Sequence, residues 1–315
     1  AGHRRPVDQA AWAQAASAPA LVQHLLEACW GEYLLLVPGR EAGAVTVMRD
    51  PSGGVGCVYA LREGFLTSDI TLATRAGLYA RQVDWEFIQG TLRYPHHKAG
   101  RTGLAGLREL LPGCRLDLDR AGAHVEPVWS PWAFVAPACR HRDRATAQAE
   151  VRHAVASSVR QWADTDAAVL LELSGGLDSS VVAACLAGTP ARVACCNLVT
   201  PVPGADERSY ARRMAEALQV ELQVRTLGFE QTPVDCPPPA HAVMPGTGFL
   251  QHASNALKEA IGRQLGIDRF FSGGGGDTVF GYTRSAAPAA DAFRECGAGA
   301  GLAAVRDLAE LHQCT

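Results

Sequence analysis

From Ala168 to Ser180 the chain reads AVLLELSGGLDSS, and no other stretch so narrows what it can fold into. Ala168 to Leu173 is a short apolar run bounded by Asp166 and Ser174, the pattern of a buried strand in a parallel sheet. Ser174 to Ser179 reads as a turn. Ser179 and Ser180 are good caps for a helix that opens on Val181 to Leu186. The unit is strand, glycine loop, helix, a geometry that aims backbone N–H groups at an anion. Gly175 and Gly176 let main chain approach a ligand, and the hydroxyls of Ser174, Ser179 and Ser180 add donors without bulk. A phosphate group is the natural guest.

No Gly-Lys pair occurs in the chain, so this is not the mononucleotide P-loop. Asp178 stands where a lysine would help, and a carboxylate beside phosphates suits a bridging Mg²⁺. The string SGGLDSS matches the pyrophosphate loop of the N-type ATP pyrophosphatases, and LSGGLDSS resembles asparagine synthetase and its relatives. The resemblance implies ATP bound on Ser174, Gly175, Gly176, Leu177, Asp178, Ser179 and Ser180. The plainer reading is a glycine-rich strand-to-helix turn of any α/β domain.

A second loop repeats the chemistry. Phe271 to Tyr282, FSGGGGDTVFGY, again runs strand end, glycines, one aspartate, helix. Two aspartates delivered at adjacent strand ends, Asp178 and Asp277, are placed to hold one Mg²⁺ across ATP phosphates, with Ser272 and Gly273 adding main-chain contacts. The stretch resembles the synthetase motif SGEGxDExFGGY, with Gly274 where the family has glutamate and Asp277-Thr278 where it has Asp-Glu. GGGGDTVF is similar to the loop of the ATP-dependent cyclases that tie lasso peptides, GGxGDNVF.

Between the loops, Arg192 to Val199 and Glu221 to Leu227 read as strands and Arg208 to Leu218 as a helix with Tyr210, Met214 and Leu218 on one face. Asp206 and Glu207 open that helix, complementing its dipole. Phe249 to Leu265 is helical and Ile267 to Ser272 a fourth strand. The alternation predicts a parallel sheet with its crevice at the strands' C-terminal ends. Upstream, Thr146 caps a helix to Trp162 with Val151, Val155, Ser158 and Trp162 at helical spacing. His241 and His252 are at no ligand spacing, and solvent or packing roles fit them better.

The first half reads differently. Residues 1 to 20 are an alanine-rich lead-in with no packing stripe. After a helix over Leu21 to Cys29, Gly31 to Val37, Ala44 to Met48, Gly56 to Leu61 and Gly64 to Ser68 read as antiparallel strands, with a turn at Arg49 to Gly53. In order, GEYLLLV, VTVMRDPSG, CVYA, FLTSD, LRELLPGCRLDL and Trp129 resemble the glutaminase-type N-terminal domain of asparagine synthetase. Pro131 to Arg144 is the linker candidate. The expected architecture is therefore α/β overall: a glutaminase-like (Ntn-type) α+β sandwich over 1–140, then a parallel-sheet ATP-binding domain over 141–315. Glutamine-hydrolysing members use an N-terminal cysteine as nucleophile. Here the chain starts Ala1-Gly2-His3 and its first cysteine is Cys29, so the expectation is a retained, degenerate scaffold.

Composition trims the alternatives. A net charge of −3 over 315 residues, with Lys98 and Lys258 the only lysines, gives no polyanion attraction, so no nucleic-acid partner is expected. The ten cysteines show no Cys-x-x-Cys pair, and buried free thiols fit better than disulfides or zinc. No stretch approaches the roughly 20 apolar residues of a membrane span, which points to a cytoplasmic, reduced protein.

The resemblance implies a ligase that adenylates an Asp or Glu side chain of a leaderless precursor peptide and closes a macrolactam with its N-terminal amine, releasing AMP and pyrophosphate. Its implied partners are the core peptide, a leader peptidase and a leader-binding protein. A small-molecule amide synthetase, of ammonia-using asparagine or β-lactam type, and a non-catalytic nucleotide-binding partner stand as alternatives. Family members carry a catalytic lysine downstream of the second loop. None follows Lys258, so the chain is expected to be incomplete at its C-terminal end, and its catalytic residue is unassigned.

Overall fold

Side-chain alternation along short strands decides the layering of the first half of the chain in the computed structural model, which describes residues 17–39, 41–94, 98–139, 141, 143–164, 168–228, 230, 235, 237–245, 251–280 and 286–311. Two compact units result. One comprises the described residues of Ala1–Val151 and Thr232–Ala253, the other those of Arg152–Gln231 and Ser254–Thr315.

In the first unit, β1 (Leu34–Pro38), β2 (Val45–Arg49), β6 (Cys114–Asp119) and β7 (Gly122–Pro127) form a sheet in the order β1-β2-β6-β7. β3 (Val58–Ala60), β4 (Phe65–Thr67) and β5 (Arg108–Glu109) form a second, in the order β4-β3-β5. Every pairing in both is antiparallel. Successive strand residues face opposite ways. Leu35 and Met48 therefore meet Leu21, Val22 and Leu25 of α1 (Ala18–Ala28), while Val47 and Leu116 meet Tyr59, Cys57 and Leu110 of the other sheet. Val58 and Ala60 turn away from that interface onto Ile70 and Ala73 of α2 (Ile70–Arg75). The layers run helix, sheet, sheet, helix.

The Arg49–Gly53 turn is buried chemistry rather than a surface bend. Arg49 donates to Glu109 Oε1 at 2.7 Å and to the carbonyls of Leu110 and Gly53 at 2.8 and 2.7 Å. Asp50 accepts from the N–H groups of Tyr33 and Gly53 at 3.2 and 2.9 Å. The lead-in is shorter than its composition predicts. Ser17 Oγ accepts from Ala20 N–H at 3.4 Å, and Pro19 sits in the first helical turn, where its missing N–H costs nothing.

In the second unit β8 (Ala168–Glu172), β9 (Arg192–Val199), β10 (Glu221–Thr226) and β11 (Phe270–Ser272) form a fully parallel sheet in the order β10-β9-β8-β11. The chain steps outward from β8 to β10, then returns through α7 (His252–Leu265) to the far side of β8. The strand order reverses between β8 and β11. Val169, Leu171, Leu173 and Cys195 pack with Ala183 and Leu186 of α5 (Leu177–Leu186) and Ala211 and Ala215 of α6 (Arg208–Leu218). Leu170, Ala194 and Cys196 face Ile261 and Ile267 instead. Adjacent thiols thus serve opposite sides of one sheet, and all cysteines among the described residues are free.

Three expectations change here. α4 (Arg144–Ala163) begins two residues before Thr146, because Asp143 accepts from Thr146 N–H and Oγ1 at 2.7 Å each. Its inward residues are Val159 and Ala163, while Val151 and Ser158 lie outside. The passage between the units falls inside α4, not in the 131–144 segment. Beyond the second loop the chain forms α9 (Ala287–Cys296) and α10 (Ala298–Leu311). Among the described residues no helix is long and apolar enough to cross a membrane.

Candidate functional site

The strand order reverses between β8 and β11, and ligands of such sheets bind outside the C-terminal ends of the strands at a reversal of this kind. Both glycine loops leave from that edge, since Ser272 is the register partner of Glu172. Leu173 is anchored first: its N–H donates to Cys196 O at 2.8 Å, and its carbonyl accepts from Asn197 Nδ2 at 2.9 Å. Asn197 Oδ1 is buried with no partner among the described residues.

The first loop then turns on glycine. Gly175 has φ +90°, and a Cβ there would lie 2.5 Å from Ala211 N and 2.6 Å from Tyr210 Cβ. No other residue fits the gap against α6. The serines brace the loop. Ser174 Oγ lies 3.0 Å from Ser179 Oγ and accepts from Gly176 N–H at 3.2 Å. Ser179, almost fully buried, accepts from Gly175 N–H at 3.3 Å and donates to Gly176 O at 3.2 Å. Ser174 and Ser179, expected as phosphate donors, hold the loop's own amides in this structure. Gly176, not Ser179 or Ser180, is the N-cap of α5. The helix therefore starts at Leu177 and leads with the N–H groups of Leu177, Asp178 and Ser179, which have no carbonyl one turn back. Ser180 lies within the helix, where its N–H donates to Gly176 O at 3.1 Å.

The second loop repeats the device. Ser272 Oγ accepts from Gly274 N–H at 3.2 Å, Gly275 has φ +96°, and α8 (Gly276–Phe280) follows. The loops are seated on one another. A Cβ on Gly273 would lie 2.5 Å from Ser179 N, and one on Gly276 would lie 2.3 Å from Asp178 Cγ. The half-buried Asp178 carboxylate rests against the main chain immediately before Asp277, which is exposed in the first turn of α8. Among the described residues no group of three or more His, Cys, Asp or Glu is poised to hold a metal. Asp178 and Asp277 are the carboxylates at the two loops that could hold a cation such as Mg²⁺, which commonly takes only one or two protein carboxylates and fills its remaining positions with phosphate and water.

A second feature lay outside the sequence reading. On the α7 face of the same strands, Leu170, Glu172, Cys196, Asn255, Lys258, Glu259, Phe270, Phe271 and Ser272 line a cavity of about 280 Å³. Lys258 Nζ donates to Glu172 Oε2 at 2.9 Å. Burial pushes the Cys196 thiol up to about 11, with the Glu172 carboxylate adding to the rise. The available signal was Glu172 itself, a charge interrupting the apolar run AVLLEL. On α6, Arg208 holds the exposed Asp206 carboxyl down to about 2, so Asp206 spends its charge on that neighbour and on Arg208 N–H at 3.1 Å. His241 and His252 are exposed, and Gly281 and Tyr282 lie outside the described residues.

No curated protein matches the chain. Among solved structures it is similar to the glutamine-dependent NAD+ synthetase from Acinetobacter baumannii in complex with adenosine diphosphate, at 13% identity and a TM-score of 0.33 over 84% of this chain and 64% of that one. It is also similar to the allosteric regulatory enzyme of purine biosynthesis, at 12% identity and a TM-score of 0.21 over 80% and 62%. The chain spans less than two thirds of either protein, and likenesses so remote carry no weight. The family profile of asparagine synthase matches residues 150–312, just over half of the sequence and both glycine loops. The chain belongs to the asparagine synthase family.

Proposed function

We propose that this chain is an ATP-dependent, AMP-forming carbon–nitrogen ligase that closes a macrolactam in a lasso-type precursor peptide freed of its leader. The observation that carries the ligase reading is the seating of two glycine loops on one another at the β8/β11 reversal, with Asp178 against Gly276. The peptide reading is supported by the GGGGDTVF loop. In this reading the N–H groups that open α5 and the main chain of Ser272 and Gly273 hold the pyrophosphate portion of ATP. Asp178 and Asp277 hold Mg²⁺, which supplies charge neutralisation on the phosphates. A side-chain carboxylate of the peptide attacks the α-phosphorus, and the bond from that phosphorus to the bridging oxygen breaks. The peptide's N-terminal amine then attacks the acyl carbon, loses a proton and expels AMP. What the protein contributes is placement of two ends of one peptide.

The helix–sheet–sheet–helix layering of the first unit supports its reading as a glutaminase-like scaffold. A leader peptidase and a leader-binding protein are the proposed partners that deliver the peptide. Incubation with Mg²⁺, ATP and leaderless core peptide tests the reaction. AMP formed only with peptide, and a product lighter by one water, is the expected result. AMP formed with aspartate or a β-amino acid would move the assignment to a small-molecule synthetase, and ADP as product would refute adenylation.

A further inference from the structure

β9 buries Ala194, Cys195, Cys196, Asn197 and Val199, and Asn197, 4% exposed, is the one that brings an amide side chain into that company. Successive strand residues face opposite ways, so Asn197 shares a side of the sheet with Cys195, the side covered by α5 and α6. Half of the amide is satisfied there. Nδ2 donates to Leu173 O at 2.9 Å, while Oδ1 is buried with no partner among the described residues. Flipping the amide brings no relief, because the Leu173 oxygen can only accept and must face the nitrogen. An unpaired buried acceptor weighs against folding, and an apolar side chain of the same shape is often tolerated as well or better. Stability alone does not account for the residue.

The group it holds does. Leu173 is the last residue before the first glycine loop, and its N–H donates to Cys196 O at 2.8 Å. The backbone of β9 thus holds one end of Leu173 and the Asn197 side chain holds the other. The Leu173 oxygen and the Ser174 N–H belong to one planar peptide, so fixing that oxygen sets the direction in which Ser174 leaves the strand. Little freedom remains beyond it. A Cβ on Gly175 would lie 2.5 Å from Ala211 N, which shows how tightly the loop is seated on α6, and Ser174 Oγ must still reach Gly176 N–H at 3.2 Å. Asparagine supplies an uncharged N–H donor from the neighbouring strand, and its orphan oxygen comes with that donor.

We infer that Asn197 is a positioning residue for phosphate binding: by fixing the Leu173–Ser174 peptide it holds the first loop, and the N–H groups that open α5, in their binding arrangement before any ligand arrives. The inference rests on the nucleotide reading above and adds to it a residue that lies outside both glycine loops. Preforming a site removes the cost of ordering it on binding. The effect therefore falls on affinity rather than on the fold.

Dissociation constants of the full chain for Mg²⁺-ATP and Mg²⁺-pyrophosphate, measured beside thermal transitions, test this role. Asn197→Leu keeps the branched shape and removes both the donor and the orphan oxygen. Both ligands should bind about five- to tenfold more weakly, the worth of one hydrogen bond, with a thermal transition close to that of the wild-type chain. Val169→Ala, a cavity variant buried near the start of β8, should do the reverse, lowering the transition and leaving both affinities unchanged. Hydrogen exchange adds a readout that global stability does not move: in Asn197→Leu the amides of residues 174–179 should exchange faster while those of β8 and β9 stay protected. Should the leucine variant not fold, Asn197→Ala, which cannot clash, reads the same constants. Wild-type affinity in the folded Asn197 variant, or a loss in Val169→Ala as large as in that variant, would overturn the positioning role and leave the phosphate site standing. If the wild-type chain binds neither ligand, the nucleotide reading falls and takes this inference with it.

Discussion

A methyl group at position 276 would sit 2.3 Å from Asp178 Cγ, and one at position 273 would sit 2.5 Å from Ser179 N. Neither loop can yield without moving the other, so Gly276→Ala should cost about 1–3 kcal/mol of overpacking and weaken Mg²⁺-ATP binding at least about tenfold. Gly299, in α10 with nothing near its would-be Cβ, is the contrast. Gly299→Ala should raise stability by about 0.5–1 kcal/mol and leave ATP binding alone. Thermal melts and nucleotide titrations of the two variants check both. The cysteines give another residue-level outcome. Burial pushes Cys195 up to about 12 and Cys57 to about 11, so at pH 8 thiolate is scarce at both and neither should alkylate before unfolding. Cys139 and Cys296 are exposed and should label quickly, as peptide-level mass spectrometry of iodoacetamide adducts would show. At this scale the two glycine loops were legible in the sequence, whereas the bracing contacts of the serines were not. A serine in a glycine loop satisfies its own turn or a ligand equally well, and only coordinates show that Ser174 and Ser179 face each other.

Among the elements, helix starts repay inspection. α3 (Trp85–Arg93) is capped by Asp84, which accepts from Phe87 N–H at 3.1 Å and pairs with Arg101 at 2.8 Å. The Arg101 guanidinium, then the Phe87 N–H, hold the Asp84 carboxyl below its ordinary value. A depressed carboxyl contributes stability that is complete above the unfolded value of about 3.9 and lost as pH falls through the folded one. Asp84→Ala should therefore cost about 1 kcal/mol at pH 7, and Asp84→Asn, which keeps the cap, less than half of that. The gap between wild type and Asp84→Asn should close below about pH 4. Urea midpoints at pH 7 and pH 3 decide the matter, and a gap unchanged by pH would refute the ionic part. The elements themselves were well marked in the sequence. The helix Arg208–Leu218 and the strand Arg192–Val199 appear at the expected limits, because turn residues and helical spacing act locally. The inward face of α4 was misplaced, because small alanines and serines are interspersed with its valines and several stripes fit equally well.

At the scale of the whole molecule, strand order makes the site. Alternating strands and helices foretell a parallel sheet, but only the order β10-β9-β8-β11 brings loops about a hundred residues apart in sequence to one edge. The cavity beside them escaped the sequence for the same reason: Glu172 and Lys258 are 86 positions apart, and no local pattern joins them. The central claim is that Asp178 and Asp277 serve one metal–nucleotide pocket, and a double-mutant cycle tests it most directly. Dissociation constants for Mg²⁺-ATP would be measured for the wild-type chain, Asp178→Asn, Asp277→Asn and the double variant. If both carboxylates share an ion, each single change weakens binding and the double is not the sum, with a coupling of about 0.5–3 kcal/mol. Strictly additive effects, or a loss confined to one of the two, would contradict it.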